Sequence, residues 1–195
     1  MERRDAKSIM EALLFITDQP ISLRSFVELF DQEFPLQEIH AMADEISRTY
    51  REQASALELR EIAGGWQFSS RPEFGPWIRK LLKDRLTYRL SSSAMETLSI
   101  IAYKQPITRS EIEEIRGVEV LAVLDTLLER RLIRIAGRKE TVGRPLLYGT
   151  TPDFLKSFGL NDLEDLPSIE SLASGTLPAP ETAVDQPVEQ GSEIT

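Results

Sequence analysis

The chain has 195 residues, no cysteine, one histidine, and 32 acidic against 23 basic side chains, for a net charge of −9. This composition excludes a disulfide framework, a thiolate metal site or nucleophile, and the usual histidine clusters, and the length allows one or two domains. The charge divides as −2 over residues 1–90, −2 over 91–167 and −5 over 168–195, so no part carries the dense positive field that a polyanion ligand normally needs.

The absence of cysteine suits a reducing cytoplasm. The apolar run from Ala12 to Ile16 is far shorter than a membrane span or a signal segment, so no membrane association is expected. Residues 7–17 read as a first helix, Ser22 caps a second through Phe26 and Leu29, and residues 36–53 form a longer third with Ile39, Met42, Ala43 and Ile46 on one face. Residues 57–62 alternate as a strand, Gly64-Gly65 makes a tight turn, and Trp66-Gln67-Phe68 returns. Pro72 then opens a helix that carries Phe74, Trp77, Ile78, Leu81 and Leu82 toward a boundary near Leu90.

Beyond that boundary the chain repeats itself. Met10-Glu11-Ala12-Leu13-Leu14-Phe15-Ile16 returns as Met95-Glu96-Thr97-Leu98-Ser99-Ile100-Ile101, and Gln19-Pro20-Ile21-Ser22 as Gln105-Pro106-Ile107-Thr108. Arg71-Pro72-Glu73-Phe74 returns as Thr151-Pro152-Asp153-Phe154, so three blocks recur in order. Ser93-Ala94-Met95-Glu96 has the capping-box pattern and opens a helix ending near Lys104 to Pro106. Thr108-Arg109-Ser110-Glu111 is a second box, opening a short helix that Gly117 stops.

A third helix carries Val120, Leu121, Leu124, Leu127 and Leu128 on its apolar stripe, with Glu119, Asp125 and Glu129 on the other side. Leu132-Ile133-Arg134-Ile135, a loop from Gly137 to Pro145, and Leu146-Leu147-Tyr148 predict a hairpin with a loop of nine residues. Thr151 caps a last helix, with Pro152 at its first position and Gly159 past its end. The expected fold is mainly α with small β-hairpins: two tandem winged-helix domains at 1–90 and 91–167. An acidic tail, 168–195, is too poor in apolar residues to order.

Helix-turn-helix units most often read DNA, but the exposed helix faces here are acidic and would meet phosphate with like charge. Protein docking is the better reading, and a tandem winged-helix transcriptional regulator is the alternative. The hairpin loop Gly137 to Pro145 is the basic cluster of the second half, so Arg138, Lys139 and Arg144 are candidates to grip a carboxylate-bearing partner or a phosphate. Tyr103 and Lys104, absent from the matching block of the first half, are further partner-binding candidates. Trp66, Phe68, Phe74 and Trp77 concentrate aromatic area in the first half; core packing is their default, and a homodimer surface their alternative. His40 reads as a solvent-facing histidine, and no catalytic constellation, cofactor motif or metal-ligand spacing is recognised.

The second half resembles one family closely. Leu98 to Val118, with Ala102-Tyr103-Lys104-Gln105-Pro106-Ile107-Thr108-Arg109-Ser110-Glu111 at its centre, then Leu127-Leu128-Glu129-Arg130, Gly137-Arg138-Lys139 and Gly143-Arg144-Pro145-Leu146-Leu147-Tyr148-Gly149-Thr150-Thr151, is similar to bacterial segregation and condensation protein B. Phe158-Gly159-Leu160-Asn161-Asp162-Leu163 continues the likeness, and Glu11-Ala12-Leu13-Leu14-Phe15 with Gly64-Gly65-Trp66 extends it into the first half.

The resemblance implies a non-enzymatic accessory subunit without cofactors. It implies dimerisation through the first winged helix and binding of the kleisin subunit, segregation and condensation protein A. Through that kleisin the subunit would join a structural-maintenance-of-chromosomes (SMC) ATPase and meet chromosomal DNA only indirectly, in the cytoplasm at the nucleoid. Two places depart from the family pattern. Arg131 stands where a glycine is expected, and Glu119-Val120 where the helix start is usually more polar.

Overall fold

The computed structural model describes residues 1–82 and 90–173. It is an α+β chain, mostly helical, with two small antiparallel sheets. Helix α1 (Arg3–Ile16) buries Ala6, Met10 and Leu14, a four-residue spacing that keeps one face inward. Ser22 caps α2 (Leu23–Leu29) by accepting the Ser25 amide, and α3 (Leu36–Glu52) buries Ile39, Met42, Ala43 and Ile46. These helices close a core over β1 (Leu57–Ile62) and β2 (Gly65–Ser70), to which Phe26, Phe30, Phe34, Leu59 and Trp66 contribute. A 3-10 turn at Pro72–Phe74 leads into α4 (Gly75–Leu81).

The hairpin turn differs from the expected one by a residue. Ala63 and Gly64 occupy its centre with φ of +53° and +73°, and Gly65 already pairs with Ile62 in the ladder. Gly65 answers a different need, because a Cβ there would lie 3.0 Å from the backbone of Ile21. Ile21 itself bridges to Trp66.

The second core gathers Leu98, Ile101, Ile107, Ile112, Val120, Leu124, Leu127, Ile133, Tyr148 and Phe154. Its helices are α5 (Ser92–Lys104), α6 (Arg109–Arg116), α7 (Leu121–Glu129) and α8 (Pro152–Phe158). The capping box at Thr108 and Glu111 forms as expected, and Gly117 ends α6 in the left-handed conformation at φ +69°. The start of α5 is a correction. Ser91, not Ser93, is the cap, accepting the Ala94 amide, while Ser93 lies inside the helix and Glu96 turns to Arg116 at 2.9 Å.

Strand β3 (Ile107–Thr108) joins β4 (Ile133–Arg138) and β5 (Leu146–Thr150) in the order β3-β5-β4, so the expected hairpin is part of a three-stranded sheet. Ile107 pairs with Tyr148 much as Ile21 pairs with Trp66, so the sequence repeat is also a repeat of strand pairing. Gly137 and Arg138 belong to β4 and pair with Leu147 and Leu146, which shortens the hairpin loop to residues 139–145. Arg131 adopts φ +57°, the left-handed region in which a side chain is disfavoured and a glycine is not.

The two halves meet at that first turn. The Ala63 amide donates to the Leu160 carbonyl and the Gly64 amide to Asn161 Oδ1, each at 2.9 Å, and the Lys156 ammonium reaches the Asp18 carbonyl. Asn161 is itself held, because its amide donates to Asp165 Oδ2 at 2.8 Å. The expected boundary near Leu90 follows residues 83–89, which lie outside the described residues. Of the expected acidic tail, Ile169–Ala173 form a short helix, α9, and residues 174–195 lie outside the described residues.

Candidate functional site

The basic loop between β4 and β5 is built from the strands upward. The Lys139 amide donates to the Pro145 carbonyl, Arg138 Nη1 donates to the Arg144 carbonyl at 3.0 Å, and the Arg144 amide donates to the Thr141 carbonyl. These bonds fold the loop back on itself, with Val142 fully exposed at its tip and Arg144 held at φ +42°. Lys139 has a second role that sequence spacing hides. Its ammonium sits 2.5 Å from Glu111 Oε1 at the start of α6.

Both oxygens of Glu111 are thereby engaged. Its other oxygen accepts the Thr108 amide at 2.8 Å and the Thr108 hydroxyl at 2.7 Å. Lys139 first, then the two Thr108 bonds, hold the Glu111 carboxyl down at about 2. Of the three hairpin cations, Arg138 at the end of β4 and Lys139 therefore shape the loop. The exposed Arg144 guanidinium has no partner among the described residues and is the one available for an incoming carboxylate.

Tyr103 and Lys104 end α5, apart in role from this loop. The Tyr103 hydroxyl donates to the Pro167 carbonyl at 2.7 Å, and the side chain lines a cleft with Leu163, Leu166, Pro167 and Ile169. Lys104 is exposed beside it. Gln105, which follows them, has the larger role. Its Oε1 accepts the Thr150 amide at 2.7 Å, and its Nε2 donates to the Ala102 carbonyl at 3.1 Å, tying α5 to β5.

The four aromatic residues of the first half separate. Trp66 is buried in the core with the His40 ring edge-on at 6.0 Å, and Phe68 is half-buried against Tyr50 at 4.7 Å. Phe74 is half-buried, and Trp77 on α4 is 70% exposed. His40 pairs with Asp44 at 2.9 Å on the outer side of α3, where it faces solvent as expected. Around α6 and α7, Glu114, Glu119, Asp125 and Glu129 are exposed, so these helices present carboxylates. Arg109 offsets part of that charge by pairing with Glu113 at 2.7 Å and Glu119 at 3.0 Å.

Among the described residues no group of His, Asp and Glu is gathered to hold a metal ion, and no helix is long and apolar enough to cross a membrane. The arrangement defines a mostly helical α+β protein on a duplicated plan, whose exposed candidate residues are Lys104 at the end of α5, Trp77 on α4, and Arg138 and Arg144 of the β4–β5 hairpin. Residues 8–169 match the family model of the segregation and condensation complex subunit ScpB, and the chain belongs to that family.

Segregation and condensation protein B of Moorella thermoacetica is 44% identical over 168 residues, covering 86% of this chain and 85% of its own length. The crystal structure of ScpB from Mycobacterium tuberculosis is 32% identical over 82% of this chain and 98% of that one, with a TM-score of 0.40. A crystallised dimer of a ScpB N-terminal domain in complex with a ScpA peptide is 29% identical over 40% of this chain and 95% of that one, with a TM-score of 0.36.

Proposed function

We infer that the chain is a non-enzymatic accessory subunit of the bacterial condensin-like SMC complex, acting in chromosome condensation and segregation during cell division. Residues 1–90 and 91–167 are read as two winged-helix domains, the first forming a homodimer and the second binding the kleisin, segregation and condensation protein A. Contact with the SMC ATPase and with chromosomal DNA then runs through the kleisin, at the nucleoid. The observation that carries this reading is the family match over residues 8–169, which covers both halves.

The geometry supports it in kind. Each half sets three helices ahead of a β-hairpin, and Ile21 and Ile107 make matching pairings to the returning strand. The helices that a DNA reader of this plan would insert present Glu114, Glu119, Asp125 and Glu129, which oppose the counterion release that drives most duplex binding. Trp77, exposed on α4, is the member of the aromatic set whose exposure supports the reading that a second copy covers it.

Calorimetric titration of segregation and condensation protein A into Arg144→Glu tests the loop. Affinity should fall by about tenfold or more, since a desolvated charge-assisted bond contributes roughly 1.5–3 kcal/mol. Unchanged affinity would remove the loop from the interface. Lys139→Glu is a poorer probe, because it also sets two carboxylates against each other at Glu111.

A further inference from the structure

Charge is divided unevenly along the second half. Residues 134–144 set Arg134, Arg138, Lys139 and Arg144 against Glu140, and among the described residues Lys139 alone of the four cations is ion-paired. Arg138 donates to the Arg144 carbonyl and Arg134 to the Thr150 carbonyl, neutral acceptors that leave both charges uncompensated. Arg134, Arg138 and Arg144 are all exposed. The strand order β3-β5-β4 places β4 at the edge of its sheet, and Ile135 and Val142 are exposed on the same hairpin, so the surface around these arginines is open. The opposite charge lies further along the chain. After Lys156 the sequence has no basic residue, and residues 174–195 carry a carboxylate at every fourth position, Glu181, Asp185, Glu189 and Glu193.

We propose that the β4–β5 hairpin is a docking surface for the chain's own segment 174–195, whose carboxylates meet the exposed arginines, Arg144 foremost, and compete there with an incoming acidic partner. The segment starts close enough. Ile169, at the head of α9, lines the same cleft as Tyr103. Tyr103 stands five residues before Thr108, at most about 18 Å along the chain, and Thr108 shares Glu111 with Lys139 of the hairpin. Glu181 is eight residues past Ala173 and Asp185 twelve, a reach of up to about 29 and 43 Å, so several of the four carboxylates can arrive together. Tethering holds them near the hairpin at an effective concentration of roughly millimolar, which lets contacts too weak for a free peptide persist. Competition with the kleisin rests on the reading that Arg144 grips it; the docking itself does not.

The chain has no cysteine, so Ser192→Cys carries a single nitroxide spin label on the full chain. In its NMR spectrum at about 0.1 M salt the amide signals of Arg138, Lys139 and Arg144 should broaden, while those of Ile39 and Leu124 in the two cores stay sharp. At about 1 M salt, where the screening length falls from about 10 Å to about 3 Å, the broadening should vanish. Replacing Glu181, Asp185, Glu189 and Glu193 together by glutamine should abolish it at low salt as well. Without the label, the same four-fold variant should bind segregation and condensation protein A about threefold or more tightly than the parent in calorimetric titration. No broadening at low salt, or broadening that survives the four glutamines, would overturn the proposal. So would full broadening when the label and the isotope sit on different copies in a mixed sample, which assigns the hairpin to a neighbour's segment. Broadening that obeys salt and charge while kleisin affinity stays unchanged would uphold the docking and sink the reading of the hairpin as the kleisin site.

Discussion

The Lys139 ammonium lies 2.5 Å from one oxygen of Glu111, while the Thr108 amide and hydroxyl occupy the other. One carboxylate thus caps α6 and anchors the β4–β5 loop to it. Glu111 is held at about 2, against an ordinary value of 4.5. A carboxyl whose native value is depressed stabilises the fold above its unfolded value and loses that effect as pH falls through the native one. The contact should be at full strength above pH 4.5, decline below it, and be lost as pH passes about 2. Carboxyl-detected NMR should place the Glu111 midpoint near 2, moving upward in Lys139→Met; a midpoint near 4.5 in the parent chain would contradict the anchor.

Arg131 holds φ +57° at the junction of α7 and β4, where it accepts the left-handed conformation without a glycine's freedom. Holding a side chain there costs about 1–2 kcal/mol, partly offset by glycine's greater unfolded-state entropy. Arg131→Gly should therefore raise stability by roughly 0.5–1 kcal/mol in urea unfolding with an unchanged slope. A lower midpoint would show that the side chain contributes more than its backbone strain removes.

Arg116 closes α6 onto the first turn of α5. Its guanidinium, 12% exposed, donates to the Ser93 carbonyl and Thr97 hydroxyl, both at 2.7 Å, and meets Glu96 at 2.9 Å. Arg116→Ala should cost roughly 2–3 kcal/mol, because it strips charge-assisted bonds from a largely buried cluster. Arg116→Lys should recover part of that loss. A loss below about 0.5 kcal/mol, the level of an ordinary surface change, would contradict this role.

Asn161 takes the Gly64 amide across the junction of the two halves. Asn161→Ala should raise hydrogen exchange at Gly64, leaving the Ile39 and Leu124 amides of the two cores protected. Equal Gly64 exchange in parent and variant would show that the turn is not held from the second half.

Locally encoded features were legible in the sequence. Ser22, the Thr108–Glu111 box, Gly117 and the Thr151-Pro152 start of α8 all act within four residues of where they stand. What was missed depended on distant partners. Three consecutive serines offered three caps for α5, and Glu96, which suggested Ser93, is drawn instead to Arg116, twenty residues on. Strand β3 is two residues long and exists only because β5 lies beside it. Likewise, the cations of the β4–β5 hairpin read as one cluster in sequence, while Glu111, 28 residues away from Lys139, divides them. The aromatic set gave no hint that Trp66 and Trp77 would lie at opposite extremes of burial.

The central claim is that this chain works by holding a protein partner, and its mass in solution tests that claim most directly. Multi-angle light scattering at moderate salt should report a dimer alone and a heavier complex of fixed stoichiometry once segregation and condensation protein A is added. A mass unmoved by that partner, together with tight and salt-steep retardation of duplex DNA by the chain alone, would contradict it in favour of a DNA-binding regulator.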